Sequence, residues 1–360
     1  MVRDTLYPDN EDRRGSYYVH SLIDLQMIVC PDLLDTMQKR YRILHTIHLL
    51  QPIGRRSLAE QINMKERVVR NELDFLTQQG LLNVSPKGVL LTKHGKEIMI
   101  ALRPYLERMN RFDVLEEKVK QILNLDHVII TPGDSDQDEW VKFDLGRRAY
   151  DFLKKQLKPS DTIAVTGGSS MAAVAEMMQP STNGTNCFFV PARGGLGERV
   201  ENQANTICAQ MAKKMNGEYR LLYVPDPLSE ETYQSIIQEP GVKEVLQMIK
   251  EADIVMHGIG DACTMAKRRK TPEHVLDKLI KGKAVSEAFG YYFDRDGRVV
   301  YKVRTVGMQL EDLSNIQTVI AVAGGKSKAE AIHSFFKQGR SNVLITDEGA
   351  AKMLIKGSSL

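Results

Sequence analysis

Two stretches of the 360-residue chain carry residues suited to hold an anion. In the first, Ile163-Ala164-Val165-Thr166-Gly167-Gly168-Ser169-Ser170, an apolar run enters a double glycine and two hydroxyls follow. Met171, Ala172 and Ala173 then open a segment that reads as helix. A buried strand, a tight turn and a helix N-terminus are written this way. Glycine lets the backbone approach a ligand closely, and the first helical N–H groups lack an intrahelical partner. Those donors, the helix dipole and the Ser169 and Ser170 hydroxyls together suit a phosphate. An ordinary strand–helix turn with a serine cap is the plainer alternative.

The pattern recurs in Ala321-Val322-Ala323-Gly324-Gly325-Lys326-Ser327-Lys328-Ala329, where the loop also carries two lysines. Neither loop has the spacing G-x-x-x-x-G-K-[ST], which argues against a nucleoside triphosphatase and for a small phosphorylated metabolite. Further candidate ligand groups are Arg193, in Pro191-Ala192-Arg193-Gly194-Gly195, Arg268 and Arg269 after Gly258-Ile259-Gly260-Asp261, and Glu287 in Ser286-Glu287-Ala288-Phe289-Gly290. Guanidinium forks suit phosphate, and a carboxylate accepts hydrogen bonds from sugar hydroxyls. A surface salt bridge is the bland alternative for each.

Strand–helix alternation positions these groups. Val128–Thr131, Phe188–Val190, Leu221–Val224, Ile254–Met256, Val319–Val322 and Val343–Ile345 read as strands; 140–157 and 205–215 read as helices. The expected fold is an α/β domain over 126–360 with a mostly parallel sheet covered on both faces. Arg193 then falls just past a strand's carboxyl end, where ligands bind in open α/β sheets.

The N-terminal third reads differently. Residues 1–20 are polar and are expected to be a disordered extension. From Asp32, Leu33, Leu34, Met37, Tyr41, Leu44 and Ile47 recur at helical spacing. Pro52 and Gly54 break that helix, a short one follows from Ser57, and a second runs from about Lys65 to Gln79. Two apolar runs around Ser85-Pro86-Lys87-Gly88 complete a hairpin. This order predicts a winged helix-turn-helix domain over 21–92, whose second helix enters the DNA major groove. Arg55, Arg56, Lys65, Arg67, Arg70 and Asn71 are the candidate DNA contacts, and Lys39, Arg40 and Arg42 add charge; between Lys39 and Asn71 only Glu60 and Glu66 oppose them. That excess suits the phosphate backbone, with a solvated charged face as the alternative. Arg67 and Arg70 serve either to read guanine edges or to grip phosphates, and the sequence leaves both open. Residues 93–125 read as a helical linker interrupted at Pro104, equally suited to dimerisation or to packing on its own domain.

Four cysteines (Cys30, Cys187, Cys208, Cys263) show no C-x-x-C pair, so neither a metal site nor a disulfide framework is expected. A net charge of +3 is too small to signal a partner by itself. With no secretory segment and no membrane-spanning run, the chain reads as cytoplasmic.

The chain resembles SorC-type transcriptional regulators from about Ser21 to its C-terminus. The most specific stretches are Gln51-Pro52-Ile53-Gly54-Arg55-Arg56-Ser57-Leu58, the segment from Val190 to Gly197, Asn202-Gln203-Ala204-Asn205-Thr206-Ile207-Cys208-Ala209, and Glu287-Ala288-Phe289-Gly290-Tyr291-Tyr292-Phe293. The resemblance implies a repressor of a glycolytic operon, not an enzyme, with fructose 1,6-bisphosphate as effector and no cofactor. It also implies a sugar-isomerase-like effector domain and an oligomer, dimer or tetramer, on operator DNA. Carried over by motif, the effector contacts are Gly168, Ser169, Ser170, Arg193, Arg268, Glu287 and Lys328. The family pattern has threonines where Ser169 and Ser170 stand, and a hydroxyl survives at both.

The rival reading is a sugar-phosphate isomerase or deaminase. Its weakness is that Gly258-Ile259-Gly260-Asp261 continues as Ala262-Cys263-Thr264, without the acid–base histidine such a loop needs. A purely structural module leaves the paired glycine loops and the basic helix unexplained.

Overall fold

The computed structural model describes Gln26 and residues 29–357 except 110–111, 181–185, 197–198 and 227. The extension expected over 1–20 lies outside the described residues. The contacts divide the chain into a unit ending at 111 and a unit beginning at 112.

The first unit runs α1 (Pro31–Leu50), α2 (Arg55–Gln61), α3 (Glu66–Gln78), β1 (Leu82–Ser85), β2 (Gly88–Leu91) and α4 (Lys93–Met109). Ile43, Leu44, Ile47, Leu58, Ile62, Val69, Leu73, Leu76, Leu82 and Val89 form its core. The turn between α2 and α3 uses Asn63 at φ 51°, a conformation asparagine tolerates. Ile53 pairs with Val89, so the β1–β2 hairpin gains a third chain: the Val89 N–H donates to the Ile53 carbonyl at 2.9 Å. Two details differ from expectation. Helix α2 begins at Arg55 rather than Ser57, capped by Gly54, which brings Arg55 and Arg56 into its first turn. Helix α4 continues through position 104. A proline at 104 cannot donate to the Ile100 carbonyl, and Ile100 is 57% exposed, so water can reach that face.

The second unit runs α5 (Phe112–Leu123), β3 (His127–Thr131), α6 (Glu139–Gln156), β4 (Thr162–Val165), α7 (Ser169–Met177), β5 (Phe188–Pro191), α8 (Ala204–Met215), β6 (Glu218–Tyr219), α9 (Pro240–Lys250) and β7 (Ile254–Gly258). It continues β8 (Gly260–Asp261), α10 (Ala262–Arg268), α11 (Glu273–Lys281), β9 (Ser286–Ala288), β10 (Tyr291–Phe293), β11 (Val299–Lys302), β12 (Thr318–Val322), α12 (Ala329–Phe336), β13 (Val343–Asp347) and α13 (Glu348–Gly357). The main sheet has seven strands in the order β3-β13-β12-β7-β4-β5-β6, every pair parallel. Its central strands are apolar on both faces and separate two buried clusters, as a sheet covered on both sides requires.

The strand expected over Leu221–Val224 is absent. The edge strand is β6, and Leu222 and Val224 are buried without a ladder. The Asn205 side chain replaces one: its amide nitrogen donates to the Leu222 carbonyl and its oxygen accepts from the Leu222 N–H, both at 3.1 Å. An antiparallel sheet, β8-β9-β10-β11, was not foreseen; its strands are too short to show alternation. Among the described residues no helix is long and apolar enough to cross a membrane.

Leu73, 2% exposed in the first unit's core, gives a direct test. Leu73→Ala is expected to cost about 2–5 kcal/mol. It should lower the helical circular-dichroism transition more than the emission transition of Trp140, which reports the second unit.

Candidate functional site

Strand β7 lies between β4 and β12, so the two glycine loops flank its carboxyl end. There a solvent-open cleft is lined by Thr166–Ser170, Arg193, Gly258–Gly260, Met265, Arg268, Arg269, Glu287–Phe289 and Lys328. The seven expected effector contacts, Gly168, Ser169, Ser170, Arg193, Arg268, Glu287 and Lys328, thus border one space.

The first loop is shaped by its glycines. Gly168 adopts φ 112°, and a Cβ on Gly167 would stand 2.5 Å from the Asn202 carbonyl. That carbonyl also accepts the Gly168 N–H at 2.8 Å. Helix α7 starts immediately afterwards, so its first amides and the positive end of its dipole face the cleft.

The second loop repeats the backbone, with Gly325 at φ 100°, but its amides are already engaged. The Gly325 N–H donates to Asp347 Oδ2 at 2.7 Å, the Lys326 N–H to Asp134 Oδ1 at 3.3 Å and the Ser327 N–H to Asp136 Oδ2 at 2.7 Å. The chain's own carboxylates occupy the donors that an external anion would use. Only the Lys328 side chain of this loop serves the cleft. Burial pushes the Lys328 pKa down and Arg268 and Lys142 add to this, while Asp136 and Asp347 oppose it.

Opposite the loops, Arg193, Arg269 and Glu287 form a buried trio, with side chains 4–6% exposed. Glu287 Oε1 accepts from Arg269 Nη2 at 2.5 Å and from the Gly290 N–H at 2.8 Å, and lies 3.6 Å from Arg193 Nη1. Glu287 therefore holds guanidiniums as well as facing the cleft. The roles of the neighbouring arginines split: Arg268 is exposed at the rim, and Arg269 is sealed beneath it. The β9–β10 turn places Phe289 at φ 53° and Gly290 at φ 87°. A positive φ is uncommon for a bulky residue, and Phe289 is held there by burial on the cleft wall. Sequence reasoning missed Phe289 and Thr166 as lining residues, although both lie inside the quoted motifs.

His257, the penultimate residue of β7, is fully buried beneath the floor. One ring nitrogen meets the Gly258 carbonyl at 3.0 Å and the other meets Ser341 Oγ at 3.0 Å. A carbonyl only accepts, so Nδ1 carries the proton and neutral Nε2 accepts from the Ser341 hydroxyl. Burial pushes the pKa down to about 4, against smaller upward effects of the Gly258 carbonyl and Glu287. The ring is sealed from the cleft, so it is not placed for acid–base chemistry on a ligand there.

In the first unit, Arg55, Arg56, Lys65, Arg67, Arg70 and Asn71 are all exposed. Arg67, Arg70 and Asn71 lie on α3, with Lys65 at its N-cap and Glu66 4.0 Å from Arg70. Lys39 and Arg40 leave the basic surface: they pair with the buried Glu72 at 2.5 and 2.8 Å, and Arg40 stacks on Phe75 at 3.7 Å. Burial would raise the Glu72 pKa, but the hydrogen bonds from Lys39 and Arg40 outweigh it and hold the pKa low. Glu72 stands one residue beyond the segment whose charges were counted.

Residues 36–106 match the family profile of the CggR N-terminal DNA-binding domain, and residues 107–356 match that of a sugar-binding domain. The chain is 52% identical to the central glycolytic genes regulators of Priestia megaterium and Bacillus subtilis, over 94% of this chain and 99% of each relative. A SorC family transcriptional regulator from Enterococcus faecalis is 45% identical in its crystal structure, which covers 67% of this chain and 99% of that one at a TM-score of 0.64. The full-length sorbitol operon regulator SorC of Klebsiella pneumoniae, 17% identical, shares the fold over 89% of this chain and 99% of its own at a TM-score of 0.63. These relatives are transcriptional regulators, not enzymes.

The buried imidazole predicts an acid-side slope in stability. Its pKa is about 4 when folded and near 6.5 when unfolded, so between those values the unfolded chain binds more protons. Its neutral form contributes no penalty above pH 6.5; stability then declines as pH falls towards 4 and loses nothing further below. Thermal melts of the second unit from pH 7 to 4 should show this decline, and His257→Gln should flatten it.

Proposed function

The chain belongs to the SorC family of transcriptional regulators, and from that premise we propose that it represses a glycolytic operon and is released from its operator, or remodelled on it, by fructose 1,6-bisphosphate. Residues 21–92 read the DNA and 126–360 sense the effector, with 93–125 carrying the chain across the boundary between the two units at 111 and 112; the protein works in the cytoplasm as a dimer or tetramer. The observation that carries the proposal is the convergence of the first glycine loop, at the N-terminus of α7, with Arg193, Arg268, Arg269 and Lys328 around one cleft. One phosphate sits on the first loop, with Ser169 and Ser170 supplying hydroxyls, and the other is met by the Lys328 and Arg268 side chains. Glu287 accepts from the sugar hydroxyls while orienting Arg193 and Arg269. Such coupling between effector and operator is typically about 1–3 kcal/mol, and requires that the sugar bind the two states with different affinity.

The exposed α3 side chains supply the DNA contacts, Arg55 and Arg56 gripping phosphates from the start of α2 and Lys65 from the start of α3. A titration of the upstream promoter DNA at fixed salt, with and without fructose 1,6-bisphosphate, tests the whole reading. The sugar is expected to loosen or remodel the complex. Unaltered binding removes the effector assignment, and no binding at all returns the enzyme reading.

Two substitutions separate the parts. Arg67→Ala with Arg70→Ala should weaken operator affinity by about 10-fold or more while the melting curve stays unchanged, since a bidentate base contact contributes about 1–3 kcal/mol and a phosphate contact adds to affinity on any sequence. Lys328→Ala should abolish the thermal shift that fructose 1,6-bisphosphate produces and leave DNA binding intact; a wild-type shift would remove Lys328 from the site.

A further inference from the structure

We propose that His257 is a positioning residue for the cleft, a wedge that ties the Glu287 side of the site to the helix behind Lys328. The inference rests on the sugar-phosphate reading of that cleft and adds a residue that the sequence did not single out. The imidazole touches three elements that carry ligand groups. Its Nδ1–H holds the Gly258 carbonyl, and Gly258 lines the floor. The ring packs on Phe289 at a tilt of 46°, centroid to centroid 4.7 Å, and Phe289 belongs to the turn that follows Glu287. The ring also packs on Phe335 at 5.0 Å, and Phe335 lies on α12, the helix that begins directly after Lys328.

A second bond runs beside this wedge. Ser286 Oγ meets Ser334 Oγ at 2.9 Å, joining the residue before Glu287 to the residue before Phe335. Nε2 is anchored by Ser341, itself buried, so the ring cannot rotate without losing both bonds. Packed interiors leave no slack for such a ring to drift. A change in spacing between Glu287 and Lys328 is therefore felt at His257 as well as at the Ser286–Ser334 bond, and a ligand that draws these groups together strains the imidazole's hydrogen bonds.

The experiment uses the full chain with fructose 1,6-bisphosphate. Imidazole nitrogen resonances are recorded with and without the sugar, and those of His257 are identified by their loss in His257→Phe. The wild type is expected to show the Nδ1–H tautomer, with both nitrogen signals shifting on ligand addition. His257→Phe, which keeps a ring but neither bond, is expected to bind the sugar about tenfold more weakly. His257→Asn, which retains a donor for the Gly258 carbonyl, should recover part of that loss. Unmoved His257 signals in a wild type that binds the sugar overturn the inference and leave the function standing, as does wild-type affinity in a folded His257→Phe. If His257→Phe does not fold, signals identified with His257→Asn decide the matter. A wild type that gives no thermal shift with the sugar removes the effector assignment, and the inference with it.

Discussion

The buried trio of Arg193, Glu287 and Arg269 is the constraint on which the second unit's site depends. Taking three charged groups out of water is unfavourable unless geometry and hydrogen bonds compensate, and removing one partner of such a group commonly costs about 3–5 kcal/mol. Here a single oxygen of Glu287 meets Arg269, faces Arg193 and accepts the Gly290 N–H. To bring that N–H round, the β9–β10 turn must be tight, which forces Phe289 into a positive φ. The same turn puts Phe289 on the cleft wall and on His257. The trio carries two positive charges and one negative, so its field at the cleft favours anions.

The parallel sheet supplies the other half of the design. Strand carboxyl ends and helix N-termini fall on one edge, and β4 and β12 bracket β7 so that two loops of like backbone face the same space. They are not alike in function. Asp134, Asp136 and Asp347 fill the donors of the second loop, which fixes α12 and α13 to each other and to the segment after β3. Gly324 and Gly325 are needed there for a structural reason: a Cβ on either would stand within 2.5 Å of one of these carboxylates.

Much of this was legible in the residues. The central strands declared themselves because apolar runs of four or five residues ended in glycine, and the helix-turn-helix because its core recurs at helical spacing. The cleft's side chains were legible because glycine, hydroxyl and guanidinium groups cluster just after strands. Features that depend on the tertiary fold were not. The β6 edge was misplaced because Leu222 and Val224 are buried by a side-chain clamp from Asn205, which no periodicity reveals. The occupation of the second loop depends on carboxylates at 134, 136 and 347, brought together only by the fold. Glu72 drew Lys39 and Arg40 out of the basic surface from outside the stretch in which charges were compared.

The unequal loops give the cleft a direction. At one end rigid backbone donors define a socket whose position no rotamer can change. At the other, Lys328 and Arg268 are long arms with several rotatable bonds each. On the proposed effector reading, a doubly anionic guest would be seated at the socket and gauged by the arms, so guests differing in length by a bond or two would share one seat while the far side adjusts, as in a caliper with one fixed jaw.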